Sequence, residues 1–277
     1  MLPNWKEDTI TVNGAEIHYV RSLGGQDSGK PVLVLQHGFS DNGLCWNPVA
    51  QELAGDYDIL MPDARGHGLS ARVQRGDSFD MVSDLAEVMR GLGIGQAVVG
   101  GHSMGAGIAS QLGARYPELV RALVLEDPPW FQLPPGAPPQ PRGSMENSPL
   151  GKWMLSLQDK TFEQVLAECR AEHPTWPDAY ATAWCQGKKQ LDLNFLSTEN
   201  RSMGPWEEAV QGISCPTLMF TADPALGGIV TPELAARIGQ MNHNFRVVDI
   251  PGVGHHVRFA NHSAYMSALR AFLSEIL

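Results

Sequence analysis

Two hydrophobic rhythms alternate along this chain. Short, unbroken apolar runs recur at Pro31-Val32-Leu33-Val34-Leu35-Gln36, Ile59-Leu60-Met61, Ala97-Val98-Val99-Gly100, Ala122-Leu123-Val124-Leu125 and Pro216-Thr217-Leu218-Met219-Phe220-Thr221, with a last strand-like run from Phe245 to Ile250. Runs that never alternate with polar residues suit strands covered on both faces. Between them, Ser78 to Arg90 sets Met81, Val82, Leu85, Val88 and Met89 at helical spacing. Further helices are predicted at Asn47–Ala54, at Met104–Arg115 (stopped near Pro117) and at Pro232–Gly239, and Tyr265, Leu269, Phe272, Leu273 and Ile276 share one face of a C-terminal helix. Strand–helix alternation of this kind predicts a mainly parallel sheet with helices on both faces. The beginning differs: Thr9–Val12 and Ala15–Val20 flank Asn13-Gly14, a strong hairpin signal.

The rhythm breaks after Asp127. A proline-rich stretch leads to helix-like segments at Leu150–Leu157, Phe162–Glu172 and Asp178–Lys189, and five of the seven tryptophans (Trp130, Trp153, Trp176, Trp184, Trp206) fall between Asp127 and Pro216. This predicts a helical insertion rather than another sheet layer.

The chemistry concentrates where the third helix follows its strand. Gly101-His102-Ser103-Met104-Gly105 is a Gly-x-Ser-x-Gly set between an apolar run and a helical run, the context of a nucleophile elbow. A serine hydroxyl needs a base within hydrogen-bond reach. His255, in the Gly-rich loop after the last strand, fits that role, with the adjacent His256 as the alternative. His67 and His102 are read as braces of their loops, and His18, His173, His243 and His262 as surface residues.

Composition changes little in this picture. At 277 residues the chain holds one large domain or two small ones, and 43% hydrophobic with 18% charged residues is ordinary for a globular protein. A net charge of −10 with no basic stripe argues against nucleic acid or an anionic membrane as partner. No signal-peptide pattern and no apolar run near the ~20 residues of a membrane helix stand out. Cys45, Cys169, Cys185 and Cys215 are widely spaced, which suits reduced thiols and a cytoplasmic location. No metal or organic cofactor is expected, and oligomeric state is not legible.

In His37-Gly38-Phe39, Asp63-x-Arg65-Gly66-x-Gly68-x-Ser70, Gly101-His102-Ser103-Met104-Gly105 and Gly252-x-Gly254-His255, taken in that order, the chain resembles the α/β-hydrolase fold superfamily over nearly its full length. The resemblance implies a mostly parallel eight-stranded sheet flanked by helices, with a helical cap inserted after the sixth strand. The cap would span 128–212 and the core 1–127 with 213–277, with the active site between them. It also implies an oxyanion hole made by the backbone N–H groups of Phe39 and Met104. His37, Gly38, His102, Trp130, Trp153 and Trp184 are expected around the substrate, with packing of the insertion's own core as the plainer role of each tryptophan. Lys188-Lys189 is read as a solvated helix face.

The triad acid departs from the commoner family pattern, in which a carboxylate follows the seventh strand. Aligning Thr221-Ala222-Asp223-Pro224-Ala225 on that pattern puts Ala225 at the acid position. Other members carry the acid at the end of the sixth strand, where Asp127 lies. Asp127 is therefore favoured, with Asp223 and Glu126 as alternatives. The expected activity is hydrolysis of a carboxylic ester or lactone of a small, apolar or aromatic substrate through an acyl-enzyme. Serine rather than aspartate at the elbow argues against epoxide hydrolase and haloalkane dehalogenase chemistry. Two alternatives stay open: C–C hydrolysis of a β-diketone on the same triad, and a small-molecule receptor with vestigial turnover.

Overall fold

The computed structural model describes residues 5–23, 29–131, 145–198 and 204–277. It opens on the hairpin β1 (Lys6–Val12) and β2 (Ala15–Arg21), whose turn residues Asn13 and Gly14 take φ of 48° and 74°, as a type I′ turn requires. There follow β3 (Val32–Gln36), α1 (Asn47–Leu53), β4 (Asp58–Pro62), α2 (Met81–Gly91), β5 (Ala97–His102), α3 (Met104–Arg115) and β6 (Val120–Glu126). Four helices come next, α4 (Pro149–Gln158), α5 (Phe162–Glu172), α6 (Asp178–Gln190) and α7 (Trp206–Gly212). The chain then returns to the sheet as β7 (Thr217–Thr221), α8 (Pro232–Met241), β8 (Phe245–Asp249), α9 (Val257–Ala260) and α10 (His262–Ile276).

The eight strands form one sheet in the order β1-β2-β4-β3-β5-β6-β7-β8, antiparallel at β1–β2 and β2–β4 and parallel from β4 onward. Alternate strand residues feed two cores. Val34, Leu60, Val99 and Leu123 pack with α2 and α3 on one face, and Leu33, Ile59, Val98 and Val124 pack with α1 and α10 on the other. Every residue of β4, β5 and β7 is buried, which explains their unbroken apolar runs, whereas β8 at the sheet edge is mostly exposed or half-buried. Helix α2 starts at Met81, the first of its spaced apolar residues, rather than at Ser78, because Asp80 caps it by accepting from the N–H groups of Val82 and Ser83.

The expected break between β6 and β7 is present as α4 to α7, although part of the proline-rich stretch, 132–144, lies outside the described residues. Helix α6 reaches the loop after β3 at Gly187. A methyl there would stand 2.8 Å from the Ser40 carbonyl oxygen and 2.7 Å from the Asp41 Cα, so only glycine permits this approach. Among the described residues no helix is long and apolar enough to cross a membrane.

Candidate active site

The turn from β5 into α3 bends the backbone at Ser103 to φ 51°, ψ −118°, a conformation L-residues rarely adopt. Two hydrogen bonds hold it there: Ser103 N–H donates to the Glu126 carbonyl (2.9 Å), and Gly107 N–H donates to the Ser103 carbonyl (3.0 Å). Side chains are excluded around it. A methyl on Gly101 would overlap the Gly105 carbonyl, and one on Gly105 would overlap that of Gln36. Ser103 borders a cavity of about 450 Å³ that also takes residues from just beyond β3, β6, β7 and β8 (Ser40, Pro129, Ile229, His255) and from α4 and α6. This is the carboxyl-end crevice where open α/β sheets bind ligands.

His255 borders the same cavity, and its Nδ1 lies 2.6 Å from Asp127 Oδ2. A buried carboxylate that already accepts the backbone N–H groups of Ile229 (2.9 Å) and Val230 (3.0 Å) acts here only as acceptor. The imidazole proton therefore sits on Nδ1 and leaves Nε2 as an acceptor. Asp127 adopts φ 42°, a second strained residue at the end of a central strand. The other carboxylates considered face elsewhere. Asp223 caps the turn after β7 by accepting from Ala225 N–H at 2.9 Å. Glu126, fully buried, forms an ion pair with Arg258 and accepts its backbone N–H at 3.0 Å.

The Glu126 arrangement is one of stability. Arg258 is itself fully buried, its guanidinium 3.9 Å from the centre of the Trp46 ring. Breaking such a pair strands a buried charge, so Glu126→Gln is expected to cost about 3–5 kcal/mol of unfolding free energy. Urea denaturation would measure this, and a cost under about 1 kcal/mol would mean the pair contributes no more than a surface one.

Of the two adjacent histidines, His255 meets a carboxylate, while the His256 ring packs among His102, Trp176 and Phe259. Burial, with His102 and His255 beside it, pushes the pKa of His256 well below the ordinary histidine range. His102 also borders the cavity, and its Nε2 lies 3.1 Å from the His255 carbonyl, to which it must donate. It thereby holds the backbone of His255 to the elbow. Phe39 and Met104 flank the cavity beside Ser103, and Met104 is the first residue of α3, where a backbone N–H has no partner within the helix.

Three expected substrate neighbours lie elsewhere. His37 is fully buried, accepting Ala64 N–H on Nε2 (2.8 Å) and donating from Nδ1 to the Gly38 carbonyl (2.7 Å), so it ties the loops after β3 and β4 together. Gly38 lies beneath His102, where an added methyl would come 2.7 Å from Nδ1. Trp130 turns away from the cavity and stacks on Trp206 with centroids 5.7 Å apart. A tight turn closed by Trp130 N–H on the Pro128 carbonyl (2.8 Å) precedes it, and Pro129 and Phe131 line the cavity in its place. Trp153 and Trp184 do line the cavity, 5.8 Å apart.

Lys188 corrects a further expectation. Instead of being solvated, it is 3% exposed and borders the cavity, with Nζ 2.8 Å from Asp41 Oδ1. The signal was legible: Tyr180, Trp184 and Lys188 are four residues apart on α6, so the lysine continues a buried stripe. His18 is likewise buried, held between Asp63 (2.8 Å) and Glu7 (3.0 Å). Among the described residues, the donor atoms of Asp41, His102 and His256 lie within 4.8 Å of one another, close enough for a metal. The Lys188 ammonium already supplies a cation to that carboxylate.

A strained serine between strand and helix, a histidine oriented by a buried carboxylate, and a cleft at the strand ends describe a hydrolase of the α/β type. The sequence profile of the alpha/beta hydrolase family matches residues 32–268, and the chain belongs to that family. It is 25% identical over 253 residues to 2-(acetamidomethylene)succinate hydrolase of Mesorhizobium japonicum, covering 88% of each chain. It is 25% identical over 281 residues to N-formylmaleamate deformylase of Pseudomonas putida, covering 97% of this chain and 96% of the other. In structure it is similar to the esterase RhEst1 from Rhodococcus, with a TM-score of 0.76 at 21% identity, covering 99% of this chain and all (100%) of that one.

Proposed function

We propose that this hydrolase cleaves a carboxylic ester or lactone through an acyl-enzyme on Ser103, with His255 as general base and acid and Asp127 orienting it. The observation that carries the reading is the 2.6 Å contact of Asp127 with His255 Nδ1 on the cavity that Ser103 borders. Ser103 Oγ bonds to the substrate carbonyl carbon while its proton passes to His255 Nε2. That proton then goes to the departing alkoxide as the C–O bond breaks. Water, deprotonated by the same nitrogen, attacks the acyl carbon and releases the carboxylic acid and Ser103. The backbone N–H groups of Phe39 and Met104 hold the oxyanion, and residues 128–212 form the cap over a core of 1–127 and 213–277. The similarity to an enzyme named as an esterase and to others named as a hydrolase and a deformylase is in keeping with acyl transfer.

The test is a stopped-flow burst of p-nitrophenol from p-nitrophenyl butyrate, together with labelling by a fluorophosphonate located by peptide mass. One nitrophenol per protein and a label on Ser103 are expected. Absence of both across esters, lactones, N-formyl amides and β-diketones would favour a receptor over an enzyme.

A further inference from the structure

Among the described residues bordering the Ser103 cavity, the basic side chains are His102, His255, His256 and Lys188. No aspartate or glutamate is among the described residues that border it, in a chain whose net charge is −10. The acids that serve these bases, Asp127 and Asp41, are buried and do not border the cavity.

Lys188 has no role in the proposed mechanism. An ammonium in apolar surroundings is costly unless compensated, and here Asp41 Oδ1 stands 2.8 Å away and the Trp184 ring centre 4.3 Å away. Burial works against the Asp41 carboxylate, but Lys188, with His102 and His256, outweighs it and holds its pKa well below the usual range. Asp41 is therefore a carboxylate before any ligand arrives. An ammonium has three donors. Asp41 takes one, and the Ser40 carbonyl at 3.4 Å is a long second partner, so a donor remains for the cavity that Lys188 borders. For stability alone, a buried ion pair has no advantage over apolar residues of like volume. On the wall of a reaction cavity it offers an incoming anion a fixed cation.

We propose that the substrate carries a carboxylate, which Lys188 receives while the apolar part lies against Phe131, Trp153 and Phe195. This builds on the serine-hydrolase reading above. Lys188 then bridges two carboxylates, that of Asp41 and that of the substrate, through separate N–H groups.

The experiment compares the monobenzyl esters of succinic, glutaric and adipic acids with benzyl butanoate, pentanoate and hexanoate, matched in chain length, by product chromatography. At least one acid ester is expected to exceed its neutral partner about tenfold or more in kcat/KM, mainly through KM, as one charge-assisted hydrogen bond allows. Lys188→Met should bring that ratio toward one, and Lys188→Arg should restore part of it. Because Lys188→Met leaves Asp41 buried without its counter-ion, Lys188→Met with Asp41→Asn is measured beside it and should show the same collapse. A wild-type ratio of one or below, or a ratio unchanged in both variants, overturns the proposal. If no ester is turned over, calorimetry of the monobenzyl esters on Ser103→Ala separates the two readings. Binding lost with Lys188→Met upholds the anion site and faults the hydrolytic reading, whereas no binding overturns the anion site as well.

Discussion

Ser103→Ala is expected to lower ester turnover by about 10⁴–10⁶, with the fold intact. The size follows from what the hydroxyl does. It is the only atom of the proposed machinery that bonds to substrate, and its removal leaves only binding and the oxyanion N–H groups at work. The backbone that presents it stores strain at φ 51°. Alanine inherits this strain, so folding stability should change by well under about 1 kcal/mol. Steady-state kinetics paired with urea unfolding reads both effects. A variant that keeps a tenth of wild-type turnover, or that loses the fluorophosphonate label without losing activity, would remove Ser103 from the reaction.

Asp127→Asn is expected to cost about 10³–10⁴ in kcat with a much smaller change in KM. Three donors converge on that carboxylate: Ile229 N–H, Val230 N–H and His255 Nδ1. An amide has one oxygen for them and an NH₂ that must point somewhere. Turned toward His255, the NH₂ donates to Nδ1 and drives the imidazole proton onto Nε2, where the base should be free. Turned toward the loop, it meets two backbone donors and pushes 229–230 away. Asp223→Asn should stay within a few-fold of wild type, because asparagine serves equally as a cap for the turn at Ala225. If the losses fall the other way round, Asp127 is not the orienting acid.

Much of the scaffold could be read from local pattern. Helix α5 coincides with its predicted span because Thr161 and Gln164 form a reciprocal capping box at its start. The unbroken apolar runs became the buried strands for the reason that made them recognisable. Other features depended on partners far away in sequence. Trp130 closes a tight turn onto the Pro128 carbonyl, where no periodicity tells which neighbours face the cavity. His18 looks like an exposed strand residue until Asp63, from another loop, arrives 2.8 Å away. At Lys188 spacing and charge point opposite ways, and the spacing wins because Asp41 compensates the ammonium. Between Asp127 and Asp223 the sequence offered two acids in acceptable order, and the difference lay in which loop curls back with its backbone donors. Helix α7 buries only Ala209 and Val210 fully, too few positions to show a period.

The reach of the loop after β7 toward Asp127 has a consequence for how this protein can vary. The groups it contributes belong to the main chain, so the hold on the acid asks nothing chemical of the side chain at 229, while Val230 must stay apolar because it is buried in the core. Proline is the exception, since it brings no N–H. What the loop cannot absorb is a changed number of residues between Thr221 and Val230, which would slide the donors past the carboxylate. Length is fixed there by the donors, and composition is fixed at Gly228, where an added methyl would stand 2.6 Å from the Ala222 carbonyl oxygen, so a loop graft must keep both.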